Sequence, residues 1–307
     1  MSVALITGSC GLVGSESVKF FSKKGFDVVG IDNNSRKFFF GKDGDVSWIK
    51  KELVKEVKKY KHFNVDIRNY NNLKKIFNKY KKNIKIIIHA AAQPSQDWAK
   101  DKAIIDFEIN SRGTLNMLEL TKIFCPNSPF IFTSTNKVYG DNPNKLPLIE
   151  KKTRWEIKKG HRFYSGIDET MSIDNCTHSF FGASKTYADL AVQEYGRNVG
   201  LKTACFRAGC ITGPNHSGAK LHGFLSYLVK SALEKKQYTL IGYKGKQVRD
   251  NIHSNDLVNC FWQFYNKPRV GEIYNIGGGR KSNCSIIEAL NIIERATNIK
   301  IKKIFKK

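Results

Sequence analysis

The sequence predicts a doubly wound α/β fold, a parallel sheet with helices on both faces, followed by a smaller lobe. Three observations carry this. Short apolar runs alternate with amphipathic helical stretches from residue 3 to about residue 206. One run, Ile84-Lys85-Ile86-Ile87-Ile88, is β-branched except at Lys85, as suits a strand buried on both faces. The first run, Val3-Ala4-Leu5-Ile6, passes directly into Thr7-Gly8-Ser9-Cys10-Gly11-Leu12-Val13-Gly14, three glycines at three-residue spacing between a strand and a helix.

The elements follow in order. A second strand runs from Asp27 to Ile31 and ends in Asp32. An insertion covers Asn33 to Lys61, with a charged helix near Ile49 to Lys59. A third strand is expected from Phe63 to Ile67. A helix follows near Asn71 to Tyr80, with Leu73, Ile76 and Phe77 on one face. After the Ile84–Ile88 strand, one long helix is expected over Ile104 to Phe124. Phe130-Ile131-Phe132 is the fifth strand and leads into Thr133-Ser134-Thr135. Beyond a loop at 141–180, a helix covers Phe181 to Val199 and a strand covers Thr203 to Phe206. From Gly209 the rhythm loosens and turn residues multiply, which places a domain boundary near 208: residues 1–208 form the main domain and 209–307 the smaller lobe, with part of 250–276 returning to the main sheet.

The glycine spacing carries chemistry. Backbone without Cβ turns tightly and comes close to a diphosphate, and the helix behind it offers free N–H groups. The turn is therefore read as a dinucleotide site, with Gly8, Gly11, Leu12, Val13 and Gly14 as its contacts. Asp32 stands at the tip of the second strand, about 20 residues on, where a carboxylate accepts from an adenosine ribose 2′-hydroxyl and repels a 2′-phosphate. This favours NAD; Asn33 joins the same site, and Arg36 leaves NADP as the alternative. His89-Ala90-Ala91-Ala92-Gln93 ends the fourth strand, and its small residues suit either close cofactor approach or tight packing. Asn110, opening Asn110-Ser111-Arg112-Gly113, reads equally as a helix-packing residue or a cofactor contact.

Composition excludes other classes. The 307 residues carry a net charge of +25, with 41% hydrophobic and 26% charged residues. The lysines are scattered and far outnumber the arginines, as a compositional bias produces, so no nucleic-acid partner is expected. No apolar run approaches the roughly 20 residues of a membrane span, so no membrane partner is expected. The seven cysteines form no C-x-x-C pair and the histidines show no ligand spacing; reduced thiols, a cytoplasmic location and no metal are expected.

The glycine spacing, Asp32, the His-Ala-Ala-Ala turn, Ser134-Thr135…Val138-Tyr139-Gly140 and the helical Lys185 together resemble the extended short-chain dehydrogenases/reductases, Rossmann-fold NAD-dependent epimerases and dehydratases. Within them, Ser134-Thr135-Asn136-Lys137-Val138-Tyr139-Gly140-Asp141, Gly166-Ile167-Asp168-Glu169 and Gly245-Lys246-Gln247-Val248-Arg249-Asp250 resemble CDP-paratose/CDP-tyvelose 2-epimerases. The resemblance runs from Val3 to about Ile299. It implies a tightly held NAD that takes a hydride from a nucleotide-sugar C–H and returns it to the opposite face of a transient ketone. It implies Thr135 at the reacting sugar oxygen, Lys185 at the nicotinamide ribose and Asp66-Ile67 at the adenine. Asn136 and Lys137 fall on the substrate side. Arg249 falls on the substrate diphosphate, the alternative being an ion pair with Asp250. His253 and Asp256 read as structural. A homo-oligomer is expected, by analogy, through helices 104–124 and 181–199.

Two departures stand out. The family motif places a tyrosine four residues before the lysine, as the proton carrier; this chain has Phe181. Tyr164 is the first candidate substitute, and His178 and Cys210 are weaker ones. A redox-silent NAD-binding protein is the alternative reading. The family also continues past the equivalent of Lys307, which leaves two readings open: a C-terminally truncated chain or an incomplete substrate lobe.

Overall fold

The apolar runs of the first half become adjacent parallel strands. A computed structural model of the chain describes residues 2–219 and 222–306. The strands are β1 (Val3–Thr7), β2 (Asp27–Ile31), β3 (Tyr60–Phe63), β4 (Ile84–His89) and β5 (Phe130–Thr135). Thr203–Ala208 and Glu272–Ile276 complete a seven-stranded sheet in the order Glu272–Ile276, Thr203–Ala208, β5, β4, β1, β2, β3. Every pairing in it is parallel.

Side chains alternate across this sheet, so each strand feeds two cores. Val3, Leu5, Ile84, Ile87, Phe130 and Phe132 face one side, packed with Leu73, Phe77, Met117, Leu118, Ala188 and Val192. Ala4, Ile6, Ile86, Ile88 and Ile131 face the other, with Val18, Phe21, Ile49, Leu53, Leu257 and Phe261. The continuous β-branched run of β4 is thereby explained: both of its faces are covered.

Several boundaries differ from the sequence expectation. The third strand is Tyr60–Phe63, not 63–67; it is the sheet edge, where polar residues are tolerated, and the apolar Val65 and Ile67 instead cover a loop beside the strand ends. The charged helix is Ser47–Glu56, preceded by a short helix Ser35–Phe40. The long helix is Ala103–Phe107 and Gly113–Phe124 joined by a π turn, Glu108–Arg112. Buried Asn110 in that turn donates to Gln93 O and to Asp106 Oδ1 (3.0 Å), which fixes the extra residue in place. The next helix is Ser179–Arg197, and the following strand extends to Ala208.

Beyond Gly209, a third core forms from Leu228, Ala232, Tyr238, Leu240, Ile286, Leu290 and Ile293. It joins helix Phe224–Leu233, strand Tyr238–Ile241 and helix Ile286–Thr297. Helix Ser254–Asn266 leaves this group and packs under the main sheet through Leu257, Val258 and Phe261. His253 caps that helix by accepting from Asn255 N (3.1 Å), and Asp256 lies in its first turn.

Candidate active site

The chain order reverses between β1 and β4: it runs outward to β3 and returns beside β1. That switch point opens a crevice at the carboxyl ends of the strands. A cleft of about 1630 Å³ runs from it to the third core.

The glycine turn forms one end. After β1, Gly8 takes φ +65°, and α1 (Leu12–Lys23) begins at Leu12. A Cβ on Gly14 would lie 1.9 Å from Gly8 O, and one on Gly8 would lie 2.8 Å from Ala91 N. The backbone of Ala90 and Ala91 packs against the turn, and Ala90, Ala91 and Ala92 all line the cleft. Asp32 accepts from Asn34 N (2.7 Å) and Cys10 N (3.0 Å), which ties the two strand ends together. Burial raises its carboxyl above the usual range, against those two N–H groups and the Arg36 charge. Asp66 accepts from Asn33 Nδ2 and is paired with Arg68, while Ile67 packs on Gly113.

Two expected cofactor contacts are placed differently. Gln93 and Asn110 are buried behind the cleft wall, where Gln93 N donates to Asn110 Oδ1 at 2.9 Å and Asn110 Nδ2 donates back to Gln93 O. Their amides are used up in bracing β4 against the helices. Arg36 lines the cleft but donates across it to Ser217 O at 2.8 Å.

The middle of the cleft holds the chemistry-bearing side chains. Thr135, at the tip of β5, accepts from Lys137 N (3.2 Å) and faces the cleft, whereas its neighbour Ser134 donates to the buried Asp189. Lys185 and Phe181 lie one turn apart on helix Ser179–Arg197 and both line the cleft. Lys185 Nζ donates to Thr133 O (2.9 Å) and sits 4.0 Å from the Phe132 ring centroid. Burial pushes its ammonium down to about 8, opposed by Asp189, Cys205 and Asp106. Phe181 is 7% exposed and carries no exchangeable side-chain proton.

Of the candidate substitutes, Tyr164 lines the cleft, with the Arg280 guanidinium 4.4 Å over its ring. Cys210 also lines it, but burial raises its thiol, keeping it protonated. His178 lies outside the lining, its Nε2 engaged at 2.8 Å from Ile173 O.

Two cations also line the cleft. Lys137 and Arg249 both line the cleft, and burial together with the Arg249 charge lowers the Lys137 ammonium. Arg249 does not pair with Asp250, whose carboxylate accepts from Gly279 N at 2.9 Å.

Sequence reasoning missed the support beneath this floor. Asp189 pairs with Arg207 at 2.7 Å, and Arg207 donates to Tyr139 Oη, which donates to Asn275 (2.8 Å). A helical Asp one turn after Lys185 was the available signal. Tyr139 is thus committed to a structural network. Among the described residues, no group of three or more His, Cys, Asp or Glu is placed to hold a metal, and no helix is long and apolar enough to cross a membrane.

The NAD dependent epimerase/dehydratase family model matches residues 4–277. The chain is also 32% identical over 306 residues to the CDP-paratose 2-epimerase of Salmonella typhi, covering 97% of this chain and 85% of that one. The chain belongs to the NAD-dependent epimerase/dehydratase family. The UDP-glucuronate 4-epimerase of Thermodesulfobacterium geofontis, 28% identical, covers 99% of this chain and 83% of its own length. In structure, the chain resembles the UDP-glucose 4-epimerase of Thermus thermophilus, solved in complex with NAD, with TM-score 0.77, 24% identity and coverage of 98% and 85%. The fold is that of this epimerase/dehydratase family, and NAD is its cofactor. The glycine turn fits it: Gly8 at φ +65° and Gly14, where a Cβ has no room, let β1 turn directly into α1, and Gly8, Gly11 and Gly14 line the cleft.

Proposed function

We propose that this protein is an NAD-dependent C2 epimerase of a CDP-sugar, of the CDP-paratose/CDP-tyvelose type. The observation that carries the reading is one continuous cleft lined together by the glycine turn, Thr135, Lys185, Lys137 and Arg249. The 32% identity to a CDP-paratose 2-epimerase over nearly the whole chain supports the choice of sugar.

NAD, when bound, supplies a hydride acceptor that also returns the hydride. The turn at Gly8, Gly11 and Gly14 holds its diphosphate on the N–H groups of α1, and Asp32 receives the adenosine ribose. Lys185 is held at the floor by Thr133 O and places positive charge beside the nicotinamide ribose. Thr135 hydrogen-bonds the reacting sugar oxygen. Arg249, with Lys137 beside it, takes the substrate diphosphate, for which a planar guanidinium fork is suited. Tyr164 carries the hydroxyl proton that Phe181 cannot, its ring held by Arg280.

The test is incubation of the purified protein with CDP-paratose, followed by NMR of the sugar. Appearance of CDP-tyvelose is expected. Protein that holds NAD and leaves both sugars unchanged, while converting another nucleotide sugar, would move the assignment within the family. No turnover of any CDP-, UDP- or GDP-sugar would favour the redox-silent reading, for which Phe181 is the specific observation.

A further inference from the structure

The sheet order sets the glycine turn between two other strand exits. β2 lies on one side of β1 and β4 on the other, all parallel, so the loops that follow them leave the same edge. Gly8 N donates to Ile31 O on the β2 side (2.8 Å), and a Cβ on Gly8 would meet Ala91 N on the β4 side. A cofactor lying on this turn is flanked by both loops. Asn33, Arg36 and Phe39 of the loop after β2 line the cleft, as do Pro94 and Gln96 of the loop after β4.

These two loops are joined by aromatic rings. The Phe39 and Trp98 ring centroids are 4.8 Å apart, and Phe38 stands 6.0 Å from Trp98. Trp98 belongs to helix Gln96–Asp101, whose cap Ser95 accepts from Trp98 N (3.3 Å). Of the three rings, Phe39 alone lines the cleft; Phe38 is 68% exposed. The loop after β2 is itself built as a unit. Asn34 closes its neck: Nδ2 donates to Asp45 Oδ1 (2.9 Å), and Oδ1 accepts from Val46 N (3.1 Å). Inside the neck, helix Ser35–Phe40 is entered through Asn34 at φ +57° and left through Gly41 at φ +64°. A Cβ on Gly44 would lie 2.3 Å from Arg36 O, so the loop packs on itself. A loop pinned at its neck and filled from within swings as one piece. Two polar contacts also hold it, Arg36 to Ser217 O and Asp43 to Lys230, each 2.8 Å.

We infer that residues 34–46 form a flap over the adenosine end of the bound cofactor, and that the clasp of Phe38 and Phe39 on Trp98 limits how fast NAD leaves. The flap and the loop after β4 meet around the glycine turn, so a dinucleotide seated there passes out only when they part. Slow release suits a reaction in which NAD takes a hydride and returns it, because the cofactor need not exchange between turnovers. The inference concerns the cofactor and holds for any sugar substrate.

Release is followed on the full-chain holoenzyme by mixing with excess etheno-NAD, whose fluorescence reports exchange. Affinity for NAD is measured by calorimetry after the bound cofactor is stripped with charcoal. Trp98→Leu and Phe38→Ala are expected to speed release about 3-fold to 10-fold, the worth of one aromatic pair. Affinity should hold, because a gate that opens more often admits NAD faster as well. Trp98→Phe keeps a ring on the clasp and should release NAD near the wild-type rate. Neither Phe38 nor Trp98 lines the cleft, so their effect on release passes through the clasp and not through contact with NAD. Unchanged release in Trp98→Leu and Phe38→Ala overturns the inference. So does a loss of affinity that matches the gain in release, because it marks support of the adenosine site and not gating. If Trp98→Leu does not fold, by thermal melting, unchanged release in Phe38→Ala overturns the inference alone, since that ring is exposed.

Discussion

At Phe181, binding and chemistry separate. The ring fills its place in the cleft wall, yet a positioned acid–base group is worth about 10²–10⁴ in rate. Restoring the phenol in Phe181→Tyr is expected to raise turnover by about that factor, read by NMR of the sugar product, with NAD content unchanged. Tyr164→Phe should lower the residual turnover of the parent by a similar factor; equal turnover in parent and variant would remove Tyr164 from the proton path. Lys185 sets a pH dependence. Its ammonium titrates near 8 in the folded protein and near the ordinary lysine value, about 10.4, when unfolded. Turnover that needs its charge is expected to fall as pH rises through about 8. Over about pH 8 to 10 the unfolded chain binds more protons than the folded one, so this group's contribution to stability rises with pH. Lys185→Met should abolish both slopes, seen in pH–rate profiles and urea midpoints.

Among the elements, helix Ser179–Arg197 is the hub. It presents Phe181 and Lys185 to the cleft and, one turn on, sends Asp189 beneath the sheet to Arg207. Both partners of that pair are almost fully buried, so removing one leaves a charge with neither water nor counter-ion. Asp189→Ala is expected to destabilise the protein by about 3–5 kcal/mol, measured by denaturant unfolding. Asp189→Asn should recover part of this through its remaining hydrogen bonds to Arg207 and Ser134. The π turn at Glu108–Arg112 has the same supporting character. Its Asn110 bonds β4's exit at Gln93 and the Ser184 hydroxyl, so the β4 end and the Lys185 helix are held by one amide. Periodicity alone reads this stretch as a plain helix, because a single inserted residue barely disturbs the apolar spacing.

For the whole molecule, the net charge of +25 bears on association. A cleft lined by Lys137 and Arg249 in a chain of this charge favours the approach of an anionic nucleotide sugar. Raising ionic strength from about 0.01 M to about 1 M shortens the screening length from about 30 Å to about 3 Å. Over that range kcat/KM for the substrate is expected to fall several-fold while kcat holds, by steady-state kinetics in a salt series.

The sequence by itself determined the alternating strands and helices, the glycine turn, Asp32, Thr135 and the Phe181–Lys185 spacing. These are local: a strand buried on both faces needs β-branched residues, and a turn without room for Cβ needs glycine. The tertiary structure alone decided what each polar group does with its partners. It turned Gln93 and Asn110 inward, tied Tyr139 and Asp189 to Arg207, and drew Arg36 across the cleft to Ser217. Those contacts join residues far apart in the chain, and no spacing rule encodes a hydrogen bond whose partner is fixed only when the sheet closes its order.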